Sequence, residues 1–226
     1  MEQHLGHRTY CDNLRSVISE DDKIDFTWNE ITYFTANSAF TKRQFPTLNV
    51  MSKLYGAWQV RRALTKSACV TFFHTHIAAA FALDWMKKAP SVVSTDITPL
   101  QYDALGAYYG HRPDRPGMRK ILKHWVRTAV FQRAACNIAW SEWAAHSIVA
   151  DYHVPDEKVK VIPPGINLDI WASPKPIRAN THKVRLLFVG GQFRRKGGDI
   201  LLEAYQRVRT PLTELHIVTG EPVAGQ

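Results

Sequence analysis

The stretch of this sequence best suited to chemistry is RLLFVGGQFRRKGGDILLEAY, residues 185–205. An apolar run, 186–189, leads into Gly190 and Gly191, then the cations Arg194, Arg195 and Lys196, then Gly197, Gly198 and a helical pattern. Such a turn suits a phosphate. Glycines let backbone N–H groups approach it closely, a helix start adds partial positive charge, and lysine and arginine supply the rest. Each hydrogen bond involving a charged partner contributes on the order of 1.5–3 kcal/mol, so two or three hold a diphosphate usefully. The plainer reading is a strand-to-helix turn that needs glycine and carries a solvated basic face. The spacing fits neither G-x-x-x-x-G-K-[ST], because Lys196 precedes its glycine, nor G-x-G-x-x-G, because Gly190 and Gly191 are adjacent. An ATPase and a simple NAD enzyme both lose ground.

Two further groups of residues could do chemistry. His74 and His76 close the apolar run 70–73. At i and i+2 on a strand they share a side and could bind a metal, although no third ligand is evident. At the C-terminal end of a parallel strand, where open sheets take ligands, they could instead line a cleft, or form a plain polar pair. Residues 111–133, HRPDRPGMRKILKHWVRTAVFQR, are strongly basic, and on helical spacing Met118, Ile121, Leu122, Trp125 and Ala129 make one stripe. The plain expectation packs that stripe, Trp125 included, on a sheet with the basic side in water. The alternative lays it on a membrane surface, which would suit a lipid-linked acceptor.

The elements that position these residues read as short β-branched or aromatic runs alternating with longer helical patterns, the signature of α/β architecture with parallel strands. Strands are predicted at 24–28, 69–74, 91–94, 135–140, 159–162, 185–189 and 215–219, and helices near 9–19, 47–64, 77–88, 117–134, 141–152 and 197–208. Residues 1–7 read as a loop entering a helix with no strand before it. Pro163-Pro164-Gly165 ends one strand, and Pro174 and Pro176 fall in a polar stretch, so 1–166 reads as one domain, 167–183 as a linker and 184–226 as the start of a second. That second part has room for two strands and one helix, too little to cover its own apolar faces, so truncation at both ends is the expectation.

Composition agrees with a globular chain: 226 residues, 45% hydrophobic and 22% charged. Lys and Arg number 29 against 20 Asp and Glu, and the net charge of +9 favours an anionic partner such as phosphate, nucleic acid or acidic lipid. Cys11, Cys69 and Cys136 form no close pair, which points to a reducing cytosol. The start MEQHLGHR lacks the layout of a secretory signal, and the longest greasy stretch, 77–83, is far short of the roughly 20 residues that span a bilayer.

The order of three segments carries a resemblance. A helix opening with Ser141 leads through Tyr-His-Val-Pro at 152–155 to Val-Ile-Pro-Pro-Gly-Ile-Asn at 161–167, and Phe-Val-Gly follows at 188–190. In this the chain resembles family 4 glycosyltransferases of the GT-B fold, most clearly over residues 135–220. The resemblance implies an N-terminal Rossmann-like domain with a parallel sheet on the acceptor side and the beginning of a second Rossmann-like domain that binds a nucleotide-sugar. Gly190 and Lys196 match the family's donor-diphosphate positions. Gly191 stands where the family usually has Arg, so one phosphate clamp is absent unless Arg194 or Arg195 takes its place. Asp96 stands where many members carry a histidine near the donor sugar and the acceptor. A carboxylate there could accept hydrogen bonds from sugar hydroxyls or act as a base, and the alternative for Asp96 is a helix N-cap. Gly6 and His7 stand where the family has a glycine loop facing the acceptor, the alternative being a frayed terminus, and His74 and His76 are the other acceptor-side candidates.

The implied reaction moves a sugar from a nucleotide-sugar to a hydroxyl acceptor, sugar, lipid-linked or small, with retention and without a metal. No Asp-x-Asp pair is present. The nucleotide-sugar is a substrate, and no cofactor is implied. Two glutamates that hold the donor in the family lie beyond the place where this chain ends, so the polypeptide alone is expected not to turn over. The competing readings are a basic nucleic-acid-binding module, with Trp125, Trp140 and Trp143 among its aromatics, and an NAD-dependent oxidoreductase, for which no glycine fingerprint is found. Trp140 and Trp143 sit in a strand–helix pattern that reads as core.

Overall fold

A computed structural model describes residues 6–18, 23–31, 46–64, 69–171 and 183–223. Contacts divide them into two compact units, residues 6–106 with 112–171, and residues 107–111 with 183–223. The elements are α1 (Gly6–Ile18), α2 (Pro46–Ala63), β1 (Thr71–Phe73), α3 (His76–Ala80), β2 (Ser91–Thr95), α4 (Pro99–Ala104), α5 (Gly106–Tyr109), α6 (Met118–Arg133), β3 (Cys136–Ala139), α7 (Glu142–Tyr152), β4 (Val159–Val161), α8 (Leu168–Trp171), β5 (Val184–Val189), α9 (Gly198–Val208) and β6 (Thr213–Val218). Of residues 167–183, read from the sequence as linker, 168–171 form α8, while 172–182, like residues 1–5, lie outside the described residues.

In the first unit β1, β2, β3 and β4 pair in that order, all parallel. Phe73, Val93, Asn137 and Val159 stand in one row across the sheet. Around them Val130, Phe131, Ile148 and Tyr152 are fully buried, which accounts for the continuous apolar character of the segments. Because the strands run parallel, the residues after each of them gather at a single edge, and the site is built there. The second unit holds β5 and β6, also parallel, with Val184 beside Thr213 and Val189 beside Val218. The chain is thus a mixed α/β protein whose four-stranded parallel sheet is Rossmann-like, as the resemblance implies.

Local chemistry sets the helix that carries β3 to β4. The Ser141 hydroxyl accepts the Ala144 N–H at 3.2 Å, Glu142 lies in the first turn, and His153 ends α7 in the left-handed region at φ 55°. The start of α4 is a capping box: Thr98 Oγ1 accepts the Gln101 N–H at 3.3 Å, and Gln101 Oε1 accepts the Thr98 N–H at 3.1 Å. Ser147 gives its proton to Asp151 (2.6 Å), so across the 2.7 Å contact Thr98 donates to Ser147. Leu100 N–H reaches the buried Tyr152 hydroxyl at 3.1 Å. These bonds stitch α4 to α7 beside the strand ends. Thr98→Val, nearly isosteric, removes the cap, leaves the Gln101 backbone N–H unsatisfied and takes from Ser147 the hydrogen bond it accepts, while Ser147 keeps its bond to Asp151. Unfolding in urea should show a loss of about 2–4 kcal/mol, with Thr98→Ser largely restoring it, and a loss below about 1 kcal/mol contradicts this.

Several expectations are corrected. Residues 24–28 form no strand. Ile24 and Phe26 are exposed, Phe26 and Trp28 stack at 5.9 Å with the Arg15 guanidinium over Trp28, and only Ile31, buried, makes a bridge. Gly6 and His7 belong to the first turn of α1 rather than to a loop. The helix predicted at 77–88 stops at Ala80, because Phe81 and Ala82 bond three residues back to Ala78 and Ala79, tightening the chain into turns. Trp143 is 51% exposed rather than core. The stripe Met118, Ile121, Leu122 and Trp125 faces outward, not onto the sheet. Among the described residues no helix is long and apolar enough to cross a membrane.

Candidate functional site

At the C-terminal edge of the first unit's sheet, His74 follows β1 and is 1% exposed. Its Nε2 lies 3.1 Å from Nδ1 of His7, which α1 brings across the strand ends. Tyr10, one helical turn beyond His7, stacks on the His74 ring at 4.8 Å, and Trp140, just after β3, packs 4.7 Å from Tyr10 and 5.7 Å from His74. Trp140 Nε1 donates to the Ser94 hydroxyl at 2.8 Å, which fixes the indole over the edge. Burial lowers the His74 pKa to about 3, with the neighbouring His7 adding to the shift, so its imidazole is neutral and works by hydrogen bonding. Nδ1 of His74 is buried and has no hydrogen-bond partner among the described residues. A buried polar atom of this kind costs about 1–3 kcal/mol unless something meets it, and a hydroxyl, both donor and acceptor, would.

His76 stands at the first position of α3 rather than two places along the strand from His74, so the pair does not share a strand face. Thr95 gives its hydroxyl proton to Ile97 O (2.8 Å), so His76 Nδ1 carries a hydrogen and donates to Thr95 Oγ1 at 3.4 Å. Desolvation, then the nearby Arg127 charge, lowers its pKa to about 3. Among the described residues no three His, Cys, Asp or Glu side chains gather as a metal ion would need. Asp96 follows β2 at this edge, half-buried. The N-cap role open to it belongs to Thr98, and no described residue bonds its carboxylate. Asn13 Nδ2 donates to Gly165 O at 3.1 Å, tying α1 to the Pro-Pro-Gly turn, and a groove of about 220 Å³ opens between α1 and that turn, with Tyr10, Leu14, Val17 and Ile166 on its walls. The edge thus offers flat aromatic faces, neutral imidazoles and one uncommitted carboxylate, a set suited to a polyhydroxylated ligand.

In the second unit, Gly190 keeps to the sheet for one more residue, its N–H bonding Val218 O at 2.9 Å. The chain then curls. Lys196 N–H bonds Gln192 O, Gly197 N–H bonds Arg194 O, and Gly198 N–H bonds Phe193 O, at 2.9–3.1 Å. Two glycines are required here: Gly197 has φ +80°, and a Cβ on Gly198 would lie 2.3 Å from the ring of Phe193, itself 6% exposed beneath the turn. Phe193 N–H goes to the Glu221 carboxylate at 2.7 Å, and Ile200 N–H goes to Asp199 at 3.0 Å. The helix start, expected to present its amides to a phosphate, therefore already carries a carboxylate of its own. The donors without a partner among the described residues are the N–H groups of Gly191, Gln192, Arg194 and Arg195, ahead of the helix, and that of Asp199 in its first turn. Arg194 and Lys196 are exposed and, among the described residues, without an ion pair, whereas Arg195 Nε is held by Gln192 Oε1.

Sequence reasoning missed Tyr10, Trp140 and Glu221. Tyr10 is three positions from His7 on one helix face, a spacing that could have flagged it, whereas Trp140 and Glu221 act through contacts distant along the chain. The family described as Glycosyltransferase Family 4 has a sequence model that matches residues 34–170, more than half of the 226. None of the curated proteins compared with the chain matches it significantly.

Proposed function

Because the chain belongs to glycosyltransferase family 4, we propose that it moves a sugar from a nucleotide-sugar donor to a hydroxyl acceptor, with retention and without a metal. The observation that carries this reading is the turn at 190–198, where four amides with no described partner stand beside the exposed cations Arg194 and Lys196. Donors fixed in advance at a departing diphosphate lower the barrier without reorganising during reaction. On the acceptor side, Asp96 accepts hydrogen bonds from sugar hydroxyls or takes the acceptor proton, and the neutral His74 meets a hydroxyl through Nδ1, with Gly6, His7 and His76 nearby in the chain's fold. Trp140 and Tyr10 supply apolar faces for a sugar or lipid-linked acceptor. All three cysteines are free thiols, which supports a reducing compartment, the cytosol.

A calorimetric titration with a nucleoside diphosphate, the matching monophosphate and random-sequence DNA tests this. The diphosphate should bind at least about tenfold more tightly than the monophosphate, because the lost phosphate forfeits charged hydrogen bonds. Binding to DNA with no response to either nucleotide overturns the reading in favour of a nucleic-acid module.

A further inference from the structure

We infer that α6 docks this protein on an anionic lipid bilayer, inserting Met118, Ile121, Leu122 and Trp125 while Arg119 and Lys120 meet headgroup phosphates. The binding depends on the α6 surface alone, whatever the sugar acceptor. Those four apolar side chains share one helical face and are 79%, 62%, 62% and 59% exposed. The opposite face, with Lys123 and Arg127, is turned to the protein: Lys123 pairs with Asp114, and Arg127 lies 3.9 Å from Asp103. The Lys123 ammonium holds the Asp114 carboxyl below the usual carboxylate range. Farther along, Val130 and Phe131 are fully buried and anchor the helix. The first two turns are therefore inside out for a helix on a sheet, and rolling the stripe inward would break the ion pairs and expel Val130 and Phe131.

Charge selects the partner. Between residues 111 and 133 there are seven Lys or Arg and one Asp, and that one, Asp114, is already paired. Arg112, Arg115, Arg119 and Lys120 are exposed around the stripe. A second copy would bring an equally basic face against this one, which like charges oppose. A phosphate backbone alone gives four apolar side chains nothing to cover. Anionic lipid satisfies both demands, apolar insertion to the acyl boundary and cation–headgroup attraction. At 16 residues α6 is about 24 Å long and would lie in the interface plane rather than cross it.

The test is co-sedimentation of the full chain with mixed phosphatidylglycerol–phosphatidylcholine vesicles and with pure phosphatidylcholine vesicles, alongside sedimentation velocity without lipid. We expect binding to the mixed vesicles only, weakened about 20-fold by Arg119→Glu with Lys120→Glu and at least about tenfold by Ile121→Ser with Trp125→Ser. The Trp emission should shift to the blue on binding, and Trp125→Phe should remove most of that shift. Equal binding to both vesicle types, release by millimolar inorganic phosphate, or wild-type affinity in both double variants overturns the inference. So does lipid-free self-association abolished by Ile121→Ser with Trp125→Ser, or binding to random DNA in place of vesicles. Arg119 and Lys120 are both exposed, and although Arg119 also lies 3.9 Å from Asp114, that carboxylate keeps its Lys123 partner, so the result of the charge pair decides even where the apolar pair misfolds.

Discussion

Titrated from neutral pH into acid, the sheet unit should lose stability steeply between about pH 6.5 and about pH 3, at up to about 3 kcal/mol per pH unit. His74 and His76 are the cause. In the unfolded chain each imidazole takes its proton near 6.5, whereas in the fold both pKa values are lowered to about 3, chiefly by desolvation. Within that window the unfolded state binds more protons, so stability rises with pH. The contribution is complete above the unfolded pKa and is lost as pH falls toward the folded one. Two protons at roughly 1.4 kcal/mol per pH unit each set the slope. His76→Asn keeps an N–H where Nδ1 donates to Thr95 and does not titrate, so it should remove about half of the slope. Urea unfolding of the sheet-unit transition across a pH series measures this. Flat stability between about pH 7 and about pH 5, or an unchanged slope in His76→Asn, contradicts it.

Gly198→Ala should weaken nucleoside diphosphate binding by roughly 10- to 100-fold. Helix propensity alone argues the other way, since Ala in place of a helical Gly ordinarily gains about 0.5–1 kcal/mol. Sterics decide the sign here. A Cβ would sit 2.3 Å from the Phe193 ring, which must leave its buried place under the turn. Overpacking of this kind costs about 1–3 kcal/mol, and Phe193 also carries the amide bonded to Glu221, so the movement reorients the amides on either side of it. Titration calorimetry with circular dichroism as a folding control checks the result. Wild-type affinity in a more stable variant would show that propensity wins and that the turn does not position the ligand.

Strands β2, β3 and β4 were legible because parallel strands covered on both faces read as continuous apolar runs. Residues 24–28 misled because alternating Ile24, Phe26 and Trp28 report a one-sided face and say nothing about whether a partner strand lies beside it. Periodicity likewise revealed that Met118, Ile121, Leu122 and Trp125 share a face of α6 but not where that face points. Asp103 and Asp114 decide this by drawing Arg127 and Lys123 inward. At the site, His74 was visible at a strand end, but its partner His7 stands 67 positions away, and only the fold brings them together. The glycines of the 190–198 turn were readable from composition. The loss of the Ile200 amide to Asp199 was not, because an acid in the first helical turn reads as ordinary dipole complementarity.

The measurement that bears most directly on a diphosphate-gripping turn is the dissociation constant of a nucleoside diphosphate for the wild-type chain and for Lys196→Ala, taken side by side in one low-salt buffer. Losing one charged hydrogen bond should raise the constant by about tenfold or more, with folding unchanged because the Lys196 side chain is exposed. Equal constants for the two proteins, or no binding by the wild type, would contradict the account.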